Sequence, residues 1–158
     1  MHTYPRHEGV VAGRIEQHGF TTFLPTVKEL HRWSDRRKVV ELPLFSCYVF
    51  VQLEPTNEER VRVLRSDSVI GLLGSQGRGT PIPAEQITAV RTLLDRDIVC
   101  AAYPFLKVGQ RVRIRGGALD GVEGGFLSRN GDRSLVISIE AIQRSLALRI
   151  HGYDIGVA

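Results

Sequence analysis

The stretch Leu44-Phe45-Ser46-Cys47-Tyr48-Val49-Phe50-Val51-Gln52-Leu53 is the most apolar in the chain, and its reading decides how the N-terminal part folds. Aromatic and β-branched residues crowd it, which predicts a buried central strand. Strict alternation places Phe45, Cys47, Val49 and Val51 on one face and Leu44, Tyr48, Phe50 and Gln52 on the other. Two readings follow. Either helices cover both faces as core, or one face is offered to an apolar element of another protein. Aromatic anchors suit the second role because each buries much area at small entropic cost.

Helical and extended segments alternate around this strand. His7 to His18 carries Val10, Val11, Arg14 and Ile15 and stops at Gly19, which predicts a helix with a narrow apolar face and a glycine after its end. Phe23–Val27 reads as a strand, and the polar run Arg32-Trp33-Ser34-Asp35-Arg36-Arg37-Lys38 as the tip of a hairpin. Thr56-Asn57-Glu58-Glu59 has the pattern of a capping box, with Val61 and Leu64 on one face of the helix behind it. Val69–Leu73 predicts a short strand and Gly74–Thr80 a loop. A third helix follows Pro81-Ile82-Pro83, with Ile87, Val90 and Leu94 on its apolar face. With His2-Thr3-Tyr4 as a clipped opening strand, this order predicts a split βαβ sandwich of ferredoxin-like type.

Periodicity changes near residue 107. Residues 97–106 show no pattern and are expected to be a linker. From Val108 onward every second residue is apolar: Arg111-Val112-Arg113-Ile114-Arg115 presents three arginines on one face and buries Val112 and Ile114 on the other. Leu135–Ile139 and Leu146–Ile150 read as further strands, and glycines at 109, 117, 121 and 124 bracket a tight turn. Short strands with glycine turns predict a small closed barrel. The fold class is therefore α+β: a ferredoxin-like sandwich over 1–96, a linker over 97–106, and a small all-β barrel over 107–158.

Composition narrows the function. The 158 residues carry 21 Lys+Arg against 17 Asp+Glu, a net charge of +4, most of it in the C-terminal part. Such a charge is compatible with nucleic acid without requiring it. No apolar run approaches the roughly 20 residues of a membrane span, and the N-terminus lacks a signal peptide's apolar stretch. Cys47 and Cys100 have no metal-ligand spacing. The expectation is a reduced, soluble, cytoplasmic protein with no membrane partner. Histidines 2, 7, 18, 31 and 151 are scattered. Gly74-Ser75-Gln76-Gly77-Arg78-Gly79 lacks the Lys-Ser/Thr of a phosphate loop and is followed by Pro81 and Pro83. No nucleophile elbow is present. No enzyme, catalytic residue, cofactor, metal or small-molecule substrate is expected.

Two sets of residues carry a resemblance. Gly109, Val112, Ile114, Gly117, Leu119, Gly121 and Gly124 look like the KOW motif, a hydrophobic strand leading to a Gly-x-hydrophobic-x-Gly turn. Upstream, Thr3-Tyr4-Pro5-Arg6-His7-Glu8, Phe23-Leu24-Pro25, Arg32-Trp33-Ser34-Asp35-Arg36 and Pro43-Leu44-Phe45-x-x-Tyr48-Val49-Phe50-Val51 resemble the NusG N-terminal (NGN) domain. The pattern is closest to specialised paralogues of the RfaH/UpxY kind, with Ser46-Cys47 where Pro-Gly or Pro-Asn is common. The C-terminal barrel is then a KOW domain of SH3-like form.

The resemblance implies a transcription elongation or antitermination factor that docks an apolar pocket on the clamp-helix tip of bacterial RNA polymerase. Carried over by motif, Phe45, Tyr48 and Phe50 help to build that pocket, Val69 and Ile70 form its other wall, and Tyr4 supplies an N-terminal aromatic. Arg32, Trp33, Arg36, Arg37 and Lys38 would lie near upstream or non-template DNA, a solvated hairpin tip being the competing reading. The KOW domain would recruit a second partner, the ribosome or a termination factor, through Leu119, Asp120, Phe126 and Ile139. Joining both on one chain raises the second partner's effective concentration. The alternative is a ribosome-associated KOW protein that binds RNA.

Overall fold

The computed structural model describes residues 1–32, 37–96, 98, 100–104, 110–129, 132–150 and 153–158. The chain divides into two compact units, Met1–Pro81 and Ile82–Ala158.

The first unit runs β1 (His2–Thr3), α1 (Glu8–Gln17), β2 (Thr21–Phe23), β3 (Thr26–Arg32), β4 (Arg37–Pro43), β5 (Phe50–Gln52), α2 (Asn57–Leu64) and β6 (Val69–Gly71). This is the helix and strand order expected from the sequence. α1 stops where Gly19 turns left-handed at φ 87°, a conformation that costs glycine nothing. β1 pairs antiparallel with β6, and β2 with β5. On its other side β1 meets the residues leading into β5: His2 bridges Tyr48, the Val49 N–H donates to the Met1 carbonyl at 3.0 Å, and the Thr3 N–H donates to the Cys47 carbonyl at 2.9 Å. The extended segments thus lie in the order β6, β1, β5, β2, with β3 and β4 as a separate hairpin. The two-residue β1 is short but central.

Val11 and Ile15 of α1, Val63 of α2, Phe20, Met1 and Val49 form one buried cluster, with Val51, Val69 and Leu72 packed against it. On α2 the buried residue is Val63, whereas Val61 and Leu64 are exposed, so the expected apolar face is turned to solvent. Its cap forms as expected on one side only. Thr56 Oγ1 accepts from the Glu59 N–H at 3.3 Å, but Glu59 Oε2 accepts from the Glu54 N–H at 2.5 Å instead of reaching Thr56.

The apolar stretch from Leu44 to Leu53 is not one strand. The chain turns at Ser46-Cys47, where Cys47 has φ 69° and the Tyr48 N–H donates to the Phe45 carbonyl at 3.1 Å. Only Phe50–Gln52 is strand. The turn resets the alternation, so Phe45 and Phe50 come together: their ring centroids are 5.9 Å apart at 89°, and Phe50 stacks on Phe23 at 5.9 Å. Leu44, Phe45, Val49 and Phe50 are all buried. A periodic reading cannot see this, because one left-handed residue shifts the phase of everything after it.

The second unit holds α3 (Ala84–Asp95), β7 (Cys100–Pro104), β8 (Arg111–Arg115), β9 (Glu123–Arg129), β10 (Asp132–Ile139), β11 (Arg144–Arg149) and β12 (Asp154–Val157). The strands form one antiparallel sheet in the order β12, β8, β9, β10, β11, β7. Cys100–Pro104, expected within a linker, is instead an end strand of this sheet: Cys100 pairs with Leu148 and Pro104 with Arg144. Its Cys-Ala-Ala-Tyr-Pro sequence has no alternation to read, and an end strand tolerates proline.

Leu135, Ile137 and Ile139 are buried from one face of β10, and Val136 is buried from the other. α3 contacts β10, and Val90 and Leu93 are its fully buried residues. By its packing α3 goes with the β-strands of the second unit, whereas the sequence reading put it in an N-terminal domain over 1–96. Gly124 is packed so closely that a Cβ would stand 2.6 Å from the Val136 carbonyl oxygen. No described helix is long and apolar enough to cross a membrane.

Candidate docking surface

In the first unit, three turns meet beside β1. The first is Tyr4–His7, in which the His7 N–H donates to the Tyr4 carbonyl at 3.2 Å. The second is the Phe45–Tyr48 turn. The third is Ser66–Val69, whose Ser68 carbonyl accepts from the Tyr4 N–H at 3.1 Å. Arg6, Cys47 and Ser68 each sit in these turns with left-handed φ of 65°, 69° and 71°. His7 Nδ1 lies 2.9 Å from Ser68 Oγ, Tyr4 packs edge-on against the His7 ring at 6.3 Å, and His2 stacks on Tyr48 at 5.3 Å.

Side-chain exposure sorts the expected pocket residues. Tyr4 is 56% exposed and Ile70 50%, while Tyr48 is half-buried. Ile70 is the extra residue where β6 slips against β1, between the pairs His2–Gly71 and Thr3–Val69. A bulge of this kind re-aims a side chain, and here it turns an isoleucine outward. Phe45 and Phe50, at 2% and 7% exposure, are core residues beneath the surface. Val69 packs into the helix-side cluster. The six residues therefore divide into an outer set, Tyr4, Tyr48 and Ile70, and a supporting set, Phe45, Phe50 and Val69.

Sequence reasoning missed Glu8 as more than a motif residue. The residue is 3% exposed, and its carboxylate accepts from the Cys47 N–H at 2.7 Å. A single carboxylate opening a helix has too many ordinary readings for this contact to be legible, since its partner lies 39 residues away.

The basic hairpin is described only at its base. Trp33 and Arg36 lie outside the described residues. Arg32 and Arg37 form the last described backbone pair of the β3–β4 ladder, and Lys38 is exposed.

In the second unit, Leu119 and Ile139 are fully buried and serve the core. Phe126 is half-buried and Asp120 exposed. Asp120 Oδ1 accepts from the Gly116 N–H at 2.7 Å, locking the turn after β8, and Asp120 lines a cleft with Gln86, Thr88 and Thr92 of α3. On β8 the arginines do not stand free: Glu123 pairs with Arg111 at 3.3 Å and also with Arg113. Burial pushes the Cys100 thiol above its ordinary value, against a smaller opposing effect of a backbone hydrogen bond.

Comparison with known proteins identifies the family. Residues 1–91 match the family model described as "Transcription termination factor nusG". The transcription termination/antitermination protein NusG of Lactococcus lactis is 30% identical over 134 residues, covering 84% of this chain and 72% of that protein. A solved structure described as "Domain interaction in Thermotoga maritima NusG" superposes with a TM-score of 0.57 at 19% identity, covering 95% of this chain and 90% of the other, which shows a shared fold. The family match spans more than half of the chain, and its members are transcription factors rather than enzymes. The chain belongs to the NusG family of transcription termination and antitermination factors.

Proposed function

We propose that the first unit docks on the clamp-helix tip of bacterial RNA polymerase through Tyr4, Tyr48 and Ile70, and that the chain acts as an elongation and antitermination factor. The observation that carries this reading is the exposed Tyr4–Ile70 surface. Two large apolar side chains are exposed there, Ile70 at a bulge of β6 and Tyr4 in a hydrogen-bonded turn, while Phe45 and Phe50 are buried against each other. Interfaces are dominated by such rigid anchors set over well-packed support.

The hairpin base at Lys38 lies near upstream or non-template DNA in this reading, with salt-sensitive phosphate contacts. The second unit recruits a further partner, the ribosome or a termination factor, through its exposed Asp120 and half-buried Phe126. The alternative, a ribosome-associated RNA-binding protein, is less well supported. It has no use for the Tyr4–Ile70 surface, and Glu123 pairs with two of the three β8 arginines it would rely on, offsetting one of their charges.

The test measures binding of the chain to a purified clamp-helix fragment. Tyr4→Ala and Ile70→Ala should each weaken binding about tenfold or more, a loss of about 1.4 kcal/mol. Val61→Ser, at an exposed apolar residue of α2, should leave it unchanged. Absence of binding by the natural chain, or equal binding by all variants, overturns the proposal.

A further inference from the structure

The three turns beside β1 hold three of the five non-glycine residues with left-handed φ among the described residues. Strained backbone of this kind persists only where the surroundings over-determine it, and it gathers at functional surfaces. Cys47 shows how it is held. Its N–H donates to Glu8 Oε1 at 2.7 Å, and its carbonyl accepts from the Thr3 N–H at 2.9 Å. Both backbone groups of the strained residue are therefore pinned, one of them by a side chain.

Glu8 is placed unusually for this work. It opens α1, where the free N–H groups and the helix dipole favour a carboxylate, and His7 before it provides no side-chain cap. The carboxylate nonetheless crosses to the other turn and is almost wholly buried. A buried carboxylate without its hydrogen bonds is strongly disfavoured, so the side chain is committed to that partner. The residues on either side of the pinned pair matter: Phe45 closes the turn and packs on Phe50, and Tyr48 stacks on His2.

We infer that Glu8 is a positioning residue: its carboxylate clamps Cys47 in the left-handed conformation and thereby sets the pose of Tyr48 on the docking surface. The consequence for docking rests on the proposed function; the clamp itself does not. Reach, not charge, is the property required. Glu8→Gln keeps the side-chain length and an acceptor oxygen but loses the charge. Glu8→Asp keeps the charge at the helix start but is one methylene too short to span the distance.

The test reads the rate at which iodoacetamide labels the half-exposed Cys47 in the full chain, resolved by peptide mass spectrometry from labelling at Cys100. Glu8→Gln should label within twofold of the natural chain, and Glu8→Asp severalfold faster, with circular dichroism unchanged in both. Clamp-helix binding should follow the same order, weakened more by Asp than by Gln. Cys47→Gly, which removes the cost of the left-handed conformation, should raise the Tm. Labelling at the natural rate in Glu8→Asp, the reverse order of the two variants, or a lower Tm for Cys47→Gly each overturns the clamp. Labelling involves no polymerase, so failure of docking alone leaves a different signature: the expected labelling order with no binding by any chain.

Discussion

Replacing Phe45 by alanine separates support from contact on the proposed docking surface. Phe45 is 2% exposed and packs edge-on against Phe50, which stacks in turn on Phe23. Truncating a buried phenylalanine costs about 3–5 kcal/mol, the lost transfer of the ring plus the cavity left behind. Loss of an edge-to-face aromatic pair, worth about 0.5–1.5 kcal/mol, places Phe45→Ala toward the upper part of that range. Set against a domain stability of about 5–15 kcal/mol, this leaves a chain that is folded but weakened, or barely folded. Urea denaturation followed by far-UV circular dichroism provides the assay, and the midpoint should fall by about 2 M. Tyr4→Ala, by contrast, removes an exposed ring and should stay within about 0.5 kcal/mol of the natural chain. Phe45→Leu keeps much of the volume and should retain most of the stability together with docking. The reasoning is refuted if Phe45→Ala costs less than about 1 kcal/mol while abolishing clamp-helix binding, because Phe45 would then be a contact residue and not a buried support.

Two further perturbations test the packing around these sites. Gly124→Ala forces a Cβ to 2.6 Å from the Val136 carbonyl oxygen and 3.0 Å from Leu135 Cγ; pushing β9 from β10 should cost about 1–3 kcal/mol. A differential scan should show the Tm of the second unit lowered by about 10 °C, and an unchanged Tm would contradict the close approach. Thr56→Ala removes the acceptor for the Glu59 N–H and should destabilise the first unit by about 1 kcal/mol in the same urea assay, with Thr56→Ser restoring most of the loss.

How much of this was legible before folding follows from which interactions are local. The start of α2 is written in Thr56, the end of α1 in Gly19, and β8 in the alternation from Arg111 to Arg115. Each depends on neighbours a few residues away, so sequence pattern suffices. The order of helices and strands and the membership of the NusG family belong to the same class. The candidate surface was legible only as a neighbourhood. Tyr4, Tyr48 and Ile70 were singled out together with Phe45, Phe50 and Val69, and pattern alone could not tell which would face outward.

Tertiary structure decided the rest, because the deciding contacts are distant in sequence. Cys47 is pinned by Glu8 from across the unit, and the turn it makes shifts the alternation so that Phe45 and Phe50 meet instead of lying on opposite faces. Ile70 faces outward because β6 carries one residue more than β1 at that point. α3 buries Val90 and Leu93 and associates with the β-strands of the second unit, a choice its own amphipathic pattern leaves open. Cys100–Pro104 becomes a strand because the edge of β11 offers it hydrogen bonds. The sequence by itself determined most of the elements and the family; the break at Cys47, the strand at Cys100–Pro104, and the phase, facing and partners of the elements were set by long-range hydrogen bonds and packing that no local pattern encodes.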